Sequence, residues 1–339
     1  MSKDSISITL VHEALQGACP AAAAHALTAA GLAWPSASDS TKRVQASTYA
    51  ALWKALATAL DDEFFAMAPR PLRAGSLAFV WRAAAGQATV EAGLSLALEF
   101  LRLMLGALNA RLEQQRGIAV VTLAEAGAPA RPFTYFTFWM MVHGLTCWLA
   151  GRRVPILAVE LRGSAPADCA DYQRFFGANL RFDQPATRLV FPASCLELPV
   201  RRSQSDLQAF CAQLPGNLLV KYRASTGLTK QVRDLLKATP PEQWPEAAAL
   251  AATYGMSVAT LRRRLAVEGQ SLQQLKAALR KERALAWLAE EGCSMGQIAE
   301  RLGFADESSF YRAFRQWFGA NPGHYRSLLL GPGENAQAD

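Results

Sequence analysis

One helix-turn-helix pattern occurs twice within the last hundred residues, and this repetition constrains the fold more than any other feature of the chain. The first copy runs from Pro245 to Leu265. Pro245 is placed to open a helix where its missing N–H costs nothing, and Gly255 supplies the positive φ of a tight turn. Ala251 lets the two helices approach, and Ser257 is the cap of the second one. Leu250, Val258, Leu261 and Leu265 share the inner side, which leaves Ala259, Thr260, Arg262 and Arg263 facing outward. The second copy, Ser294 to Arg315, repeats the order: a Ser294 cap, Ile298-Ala299 at the helix contact, Gly303 in the turn and Asp306 as the next cap. Ile298, Leu302, Phe304, Phe310 and Phe314 fill the inside, while Glu307, Ser308, Tyr311, Arg312 and Arg315 remain outside.

A helix presented in this way fits a DNA major groove, where arginine can bond a guanine edge bidentately. A single hairpin of helices with a glycine turn is common in ordinary bundles, so the connection between the copies matters. Ser271 to about Ala289 contains no proline or internal glycine and predicts a helix with Leu272, Leu275, Leu279, Leu285 and Leu288 inward. At 1.5 Å per residue it would be about 28 Å long, comparable with the ~34 Å between successive major grooves on one face of DNA. One monomer would then offer two readers to adjacent grooves. Charge follows the same division. Residues 217–330 hold sixteen Lys/Arg against ten Asp/Glu, whereas the rest of the chain holds nineteen against eighteen, out of a net charge of +7. A phosphate backbone is the natural counterpart of such a local excess.

Upstream, the pattern mixes helices and strands. Val11 to Ala18, Ala22 to Ala30 and Thr48 to Phe65 carry Ala and Leu at helical spacing, with Gly31 and Pro69 closing the second and third. Thr89 is placed to cap a helix reaching about Leu108, with Leu94, Leu98, Leu101 and Leu105 along one side. Ala110 to Gln114 and Ile118 to Leu123 flank Gln115-Arg116-Gly117 as a hairpin, and Ile156 to Leu161 and Arg188 to Phe191 are further strands. The fold class expected is an α+β sensor domain followed by an all-α double helix-turn-helix domain. The boundaries read 1–202 for effector sensing and dimerisation, 203–226 for the connection, 227–330 for the DNA-binding domain and 331–339 for a disordered tail.

The exclusions are equally useful. With 51% hydrophobic and 19% charged residues the chain is neither disordered nor fibrous. The six cysteines are scattered without a C-x-x-C pair, so zinc ribbons, thiol redox centres and a disulfide framework are not expected. No nucleotide loop, dinucleotide loop, H-E-x-x-H or G-x-S-x-G motif occurs, which predicts no enzyme, no cofactor and no metal. Asp168 and Asp171 are close in sequence but nothing supports them as an acid/base pair. Phe133 to Ala150 is apolar, yet Thr134, Thr137, His143, Gly144 and Thr146 interrupt it, and it reads as a buried core helix, not a membrane span. Tyr135, Trp139 and His143 recur along it at i, i+4 and i+8. They are the candidate lining of a small-molecule pocket, against the plainer reading of core packing. No signal peptide opens the chain, so the protein is expected in the cytoplasm.

The C-terminal third resembles AraC/XylS-type transcription regulators. The resemblance rests on Ile298-Ala299-Glu300-Arg301-Leu302-Gly303-Phe304, on Ser309-Phe310-Tyr311-Arg312-Ala313-Phe314-Arg315-Gln316-Trp317-Phe318-Gly319-Ala320-Asn321-Pro322, and on His324-Tyr325-Arg326. It covers about 230–328. It implies that Ala259, Arg262 and Arg263 of the first reader, and Glu307, Ser308, Tyr311 and Arg312 of the second, meet DNA, and that Pro322 follows a last helix packed under the second reader. Residues 20–200 are similar to the arabinose-binding-type sensor domain of one branch of that family, through Tyr172-Gln173-Arg174-Phe175-Phe176-Gly177, Leu180-Arg181-Phe182, Leu189-Val190-Phe191-Pro192 and Leu196-Glu197-Leu198-Pro199. That label does not identify arabinose as the ligand. Together these features imply a transcription activator or repressor on double-stranded promoter DNA, governed by an unknown small-molecule effector, acting as a homodimer and contacting RNA polymerase. Ser205 to Gln213 is one helix offered as the dimer contact. Two other readings stand beside this one: an enzyme-like first domain fused to a DNA reader, and a non-specific architectural DNA binder.

Overall fold

The computed structural model describes residues 5–35, 42–125, 127–177, 179–219, 228–267, 270–290 and 292–330. The chain divides into two compact units, one of Met1–Gln115 with Ala119–Tyr222 and one of Arg116–Ile118 with Arg223–Asp339. The first mixes helices and sheet, and every described element of the second from Leu228 onward is a helix.

The first unit opens with β1 (Ser5–Ser7), α1 (Ile8–Leu15), α2 (Pro20–Ala29), β2 (Arg43–Gln45) and α3 (Ala46–Leu60). The two strands pair antiparallel, Ile6 opposite Val44. Ser7 ends β1 and caps α1, its Oγ accepting from the Leu10 amide at 3.4 Å. The Ser7 amide donates to Asp171 at 2.6 Å, and Arg43 forms an ion pair with the same carboxylate, which is 2% exposed. Arg43 also donates to the carbonyl and the Oγ of Ser5, at 2.7 and 2.9 Å. Asp171 is therefore a structural anchor that joins three segments far apart in sequence.

α3 stops five residues before the Phe65 end predicted from its Ala/Leu spacing. Asp61 turns left-handed (φ 48°), and the buried Asp62 carboxylate then gathers the backbone, accepting from the amides of Phe64, Ala66 and Leu72 at 2.9, 2.8 and 2.8 Å. Phe65 and Ala66 follow with φ of 57° and 53°. Glu63 accepts from Gly75 and Leu77 at 2.9 and 2.7 Å, satisfying free N–H groups at the start of α4 (Ser76–Ala85). Burial holds the Glu63 carboxyl above its ordinary pKa despite those bonds. α5 (Val90–Leu105) is capped by Thr89 as expected, its Oγ1 3.2 Å from the Ala92 amide, but it ends before Leu108, because Gly106 turns it at φ 69°.

Leu108 already belongs to β3 (Leu108–Gln115), which meets β4 (Ile118–Glu125) through Arg116 and Gly117 at φ 51° and 78°. Two positive φ values in a two-residue loop match the right-handed twist of a hairpin. α6 (Pro132–Leu149) follows. It is apolar on every side and almost entirely buried, as a core helix must be. The Phe136 ring lies 4.7, 5.2 and 5.5 Å from the rings of Tyr172, Phe175 and Phe176. No helix among the described residues is long and apolar enough to cross a membrane. β5 (Ala158–Glu160), α7 (Ala170–Phe176), β6 (Leu180–Arg181) and β7 (Thr187–Pro192) complete a five-stranded sheet in the order β3-β4-β7-β5-β6. β5 pairs antiparallel with β7 and parallel with β6.

α8 (Gln204–Ala212) and α9 (Gly216–Leu219) occupy the stretch where the sequence suggests an interdomain connection. A reciprocal capping box between Ser203 and Asp206 starts α8. Its apolar residues turn inward: Leu207 is buried, and Phe210 lies 5.1 Å from the Trp148 ring and 6.1 Å from that of Trp81. The side of Ser205–Gln213 best suited to a dimer contact is thus already covered. Residues 220–226 and the tail 331–339 lie outside the described residues.

The second unit holds α10 (Leu228–Ala238), α11 (Ala247–Thr253), α12 (Val258–Val267), α13 (Leu272–Leu288), α14 (Met295–Arg301), α15 (Glu307–Phe318) and α16 (Pro322–Leu330).

Candidate nucleic-acid interface

The first helix pair of the second unit is built around Leu250, Leu261 and Leu265. They pack with Val232 and Leu236 of α10 and with Leu275 and Leu279 of α13. α11 starts two residues later than Pro245 suggests; Glu246 is its N-cap, so the proline only directs the entry. Gly255 turns the chain at φ 61°, and Ser257 Oγ accepts from the Thr260 amide at 3.2 Å to start α12. On α12, Ala259, Arg262 and Arg263 are exposed, as is Arg264, which the outward set read from the sequence omits. Thr260 is half-buried, with its Oγ1 2.9 Å from Ser257 Oγ.

The second pair repeats the construction with larger side chains. Ser294 and Gln297 form a reciprocal box at 3.1 and 2.8 Å, and Ile298, Ala299 and Leu302 are buried. Gly303 turns at φ 78°. Asp306 then caps α15, accepting from the Ser309 amide at 2.7 Å and from its hydroxyl at 2.9 Å. Those two bonds, the backbone one first, hold the Asp306 carboxyl below the usual aspartate range. Phe310, Phe314 and Phe318 face inward, and the last two meet the Tyr325 ring of α16 at 5.2 and 5.3 Å. Glu307, Ser308, Arg312 and Arg315 are exposed. Tyr311 is half-buried, edge-to-face with Phe310 at 6.1 Å. Arg312 donates to Ser309 Oγ at 3.2 Å. Pro322 opens α16 rather than following the last helix.

α13 serves both pairs. Leu275 and Leu279 belong to the first core, and its C-terminal half buries Leu285 and Leu288 and packs on α14 and α16. Its 17 residues span about 26 Å. It is slightly shorter than the sequence suggests, because a Ser271–Gln274 box starts it at Leu272 and Ala289 is already its C-cap.

The distribution of committed and uncommitted cations is the more telling observation. Arg233 and Lys237 pair with Glu282, Lys276 with Glu246 and Arg301 with Glu290. Arg280 and Arg283 stack over Trp244 at 5.2 and 5.5 Å. Arg283 also donates to the Lys237 and Thr239 carbonyls at the end of α10, at 2.9 and 2.8 Å. Arg262, Arg263, Arg264 and Arg315, all on α12 or α15, make no hydrogen bond or ion pair among the described residues. Among the described helices of the second unit, α12 and α15 therefore carry the positive charge that its fold does not use.

The three residues proposed from sequence as an effector lining do not converge. Steps of four residues drift by about 40° around a helix, so Tyr135 and His143 diverge by about 80°. Tyr135 is fully buried and its hydroxyl bonds Glu125, which also pairs with Arg162 at 3.0 Å. Burial, then that carboxylate, push the phenol up to about 12. Trp139 is fully buried against Phe138, 5.2 Å away. His143 lines a cavity to which neither Tyr135 nor Trp139 contributes, and its Nε2 lies 2.9 Å from the Val154 carbonyl. Beside it burial pushes the Cys147 thiol up to about 11. Among the described residues no three His, Cys, Asp or Glu side chains converge as metal ligands.

Comparison with known proteins agrees with this geometry. Residues 21–200 match the arabinose-binding domain of AraC transcription regulators, N-terminal, and residues 250–327 match a helix-turn-helix domain. The chain is similar to the ornithine utilization regulator of Pseudomonas aeruginosa, 33% identical over 185 residues that make up 55% of this chain and 54% of that one. It is also similar to the HTH-type transcriptional regulator VqsM of the same organism, 29% identical over 184 residues, 53% and 55% of the two chains. With VirS of Mycobacterium tuberculosis it shares 36% identity over 100 residues, 30% and 29% of the two. The chain spans about half the length of the first two of these curated relatives. With its first unit matched over most of its length and its second built as two capped helix-turn-helix pairs, the chain belongs to the AraC family of transcription regulators.

Proposed function

We propose that the protein is a sequence-specific, DNA-binding transcription regulator, with no enzymatic activity, whose first unit binds a small-molecule effector. Residues 1–202, with α8 and α9 of the 203–226 stretch packed onto them, sense the effector and dimerise, and 227–330 bind double-stranded promoter DNA. The observation that carries this reading is the set of uncommitted arginines on α12 and α15, each helix held by a cap, a glycine turn and a buried inner face. Ala259, Thr260, Arg262 and Arg263 of the first reader, and Glu307, Ser308, Tyr311, Arg312 and Arg315 of the second, supply the DNA contacts. The exposed arginines make the strongest ones, to guanine edges or phosphates. Half-buried Thr260 and Tyr311 reach DNA at their margins. The regulator works as a homodimer, because one pair of readers covers only a short site, and it contacts RNA polymerase from the promoter, in the cytoplasm.

The test is footprinting of the purified full chain on genomic fragments, with scrambled DNA as competitor. The expected result is a small set of protected sites that survive competition. Equal protection of scrambled and genomic DNA, with only a salt-dependent phosphate contribution, would make the protein an architectural binder instead.

A further inference from the structure

The cavity that His143 lines lies wholly in the first unit, walled by residues of α6, α7, α8, α9 and the segment after α6. It is about 50 Å³ in volume, room for roughly four water-sized groups. Three of its walls are the rings of Phe175, Phe176 and Phe210. Among the described residues no aspartate or glutamate lines it, and its one formally charged group is Arg153. The Arg153 side chain is exposed and makes no hydrogen bond or ion pair among the described residues. Asn217 is a further polar residue of the lining, beside His143 and Cys147. Its Nδ2 donates to the Phe210 carbonyl at 2.8 Å, which fixes the orientation of the amide, and its buried Oδ1 has no hydrogen-bond partner.

Each feature constrains a ligand. An uncommitted guanidinium beside a pocket without carboxylates selects an anion that accepts two hydrogen bonds. A buried acceptor left unpaired costs free energy that a ligand donor recovers. An ammonium donor would have to lie near Arg153 with no acid to balance it, so the donor is a neutral hydroxyl. The rings require an apolar body, and the volume limits it to a few carbons. We infer that this cavity is the effector site and takes a short-chain hydroxycarboxylate, with the carboxylate on Arg153, the hydroxyl donating to Asn217 Oδ1 and the alkyl part against the three phenylalanines. The assignment of the site as the effector's rests on the regulator reading above; the binding chemistry does not.

The experiment is calorimetric titration of the purified full chain, without DNA, with 3-hydroxybutyrate, butyrate, 1,3-butanediol and 3-aminobutyrate. The hydroxy acid is expected to bind at millimolar concentrations or below. Butyrate, which lacks the donor, and butanediol, which lacks the charge, are each expected to bind roughly tenfold more weakly, and 3-aminobutyrate not to bind. Arg153→Met removes an exposed side chain without disturbing the core and is expected to lower hydroxybutyrate affinity by roughly tenfold or more. Asn217→Ala is expected to equalise hydroxybutyrate and butyrate. Absence of binding by all four probes, equal binding of the diol and the hydroxy acid, or an R153M variant with unchanged affinity overturns the site. Footprinting with and without hydroxybutyrate then separates the two readings. Binding that leaves DNA protection unchanged keeps the site and removes its regulatory role.

Discussion

Replacing Asp62 isolates how much one buried carboxylate does for the sensor unit. Its Oδ1 accepts from Phe64 and Leu72, and its Oδ2 from Ala66. In Asp62→Ala all three amides lose their acceptor, but Ala66 is exposed and recovers a bond from water. Phe64 and Leu72 are fully buried and do not. At about 1–3 kcal/mol for each unsatisfied buried amide, the variant loses roughly 3–4 kcal/mol. Asp62→Asn keeps an oxygen for the two buried amides and opposes only Ala66 with an NH2 group, so it loses about 1–2 kcal/mol, part of it from weaker, uncharged bonds. The assay is urea denaturation of the full chain by circular dichroism. Hydrogen exchange over residues 61–75 provides a local readout, since Trp53 Nε1 also bonds the Glu63 carbonyl there, at 3.0 Å. Equal losses for the two variants, or a loss below about 1 kcal/mol for alanine, would show that the loop is held by packing and not by these three bonds.

Arg312→Ala is expected to cost about 1–3 kcal/mol on the cognate site and to relax preference at one base pair, as read by competitive gel shift; an equal loss on random DNA would make Arg312 a phosphate contact. Asp306 has a lowered pKa, so its capping contribution is present above the ordinary aspartate value and fades as the pH falls through and below it. Exchange at the Ser309 amide should therefore quicken in acid, and Asp306→Asn, which still caps, should flatten that dependence. A pH-independent rate in the native protein would refute this. Glu63 is the opposite case: its raised pKa contributes stability below the ordinary glutamate value that is lost as the pH rises through the folded-state value. Glu63→Gln should remove that slope from the stability of the full chain, and an unchanged slope would count against the assignment. Arg283→Lys, which cannot reach the Lys237 and Thr239 carbonyls together while lying over Trp244, should destabilise the second unit by about 1–2 kcal/mol in thermal unfolding.

Legibility in the sequence followed the range of the interactions. Caps and turn glycines act over three or four residues, so Ser257, Ser294, Asp306, Gly255 and Gly303 could be assigned directly, and with them the inward Leu and Phe positions of α12 and α15. The end of α3 was hidden, because Ala/Leu spacing continues toward Phe65 while the stop is imposed by Asp62 reaching Leu72 ten residues on. β1 and β2 have three residues each and show no alternation to detect. Spacing along α6 groups Tyr135, Trp139 and His143, but a helix buried on every side has no periodic signal that marks one face as a cavity wall, and of these three the cavity lining includes His143. Arg153 and Asn217 reach that cavity from a loop and from a four-residue helix, and no local pattern links them to His143.

The bond between Ser7 and Asp171 bridges 164 positions of the chain. During synthesis β1 precedes its acceptor by the hairpin and the central apolar helix, both of which leave the ribosome before Asp171 does. Domains complete themselves as units, and such distant closures come late. β1 is consequently latched only once α7 has been made, while β6, β7, α8 and α9 of the same unit still follow on the nascent polypeptide.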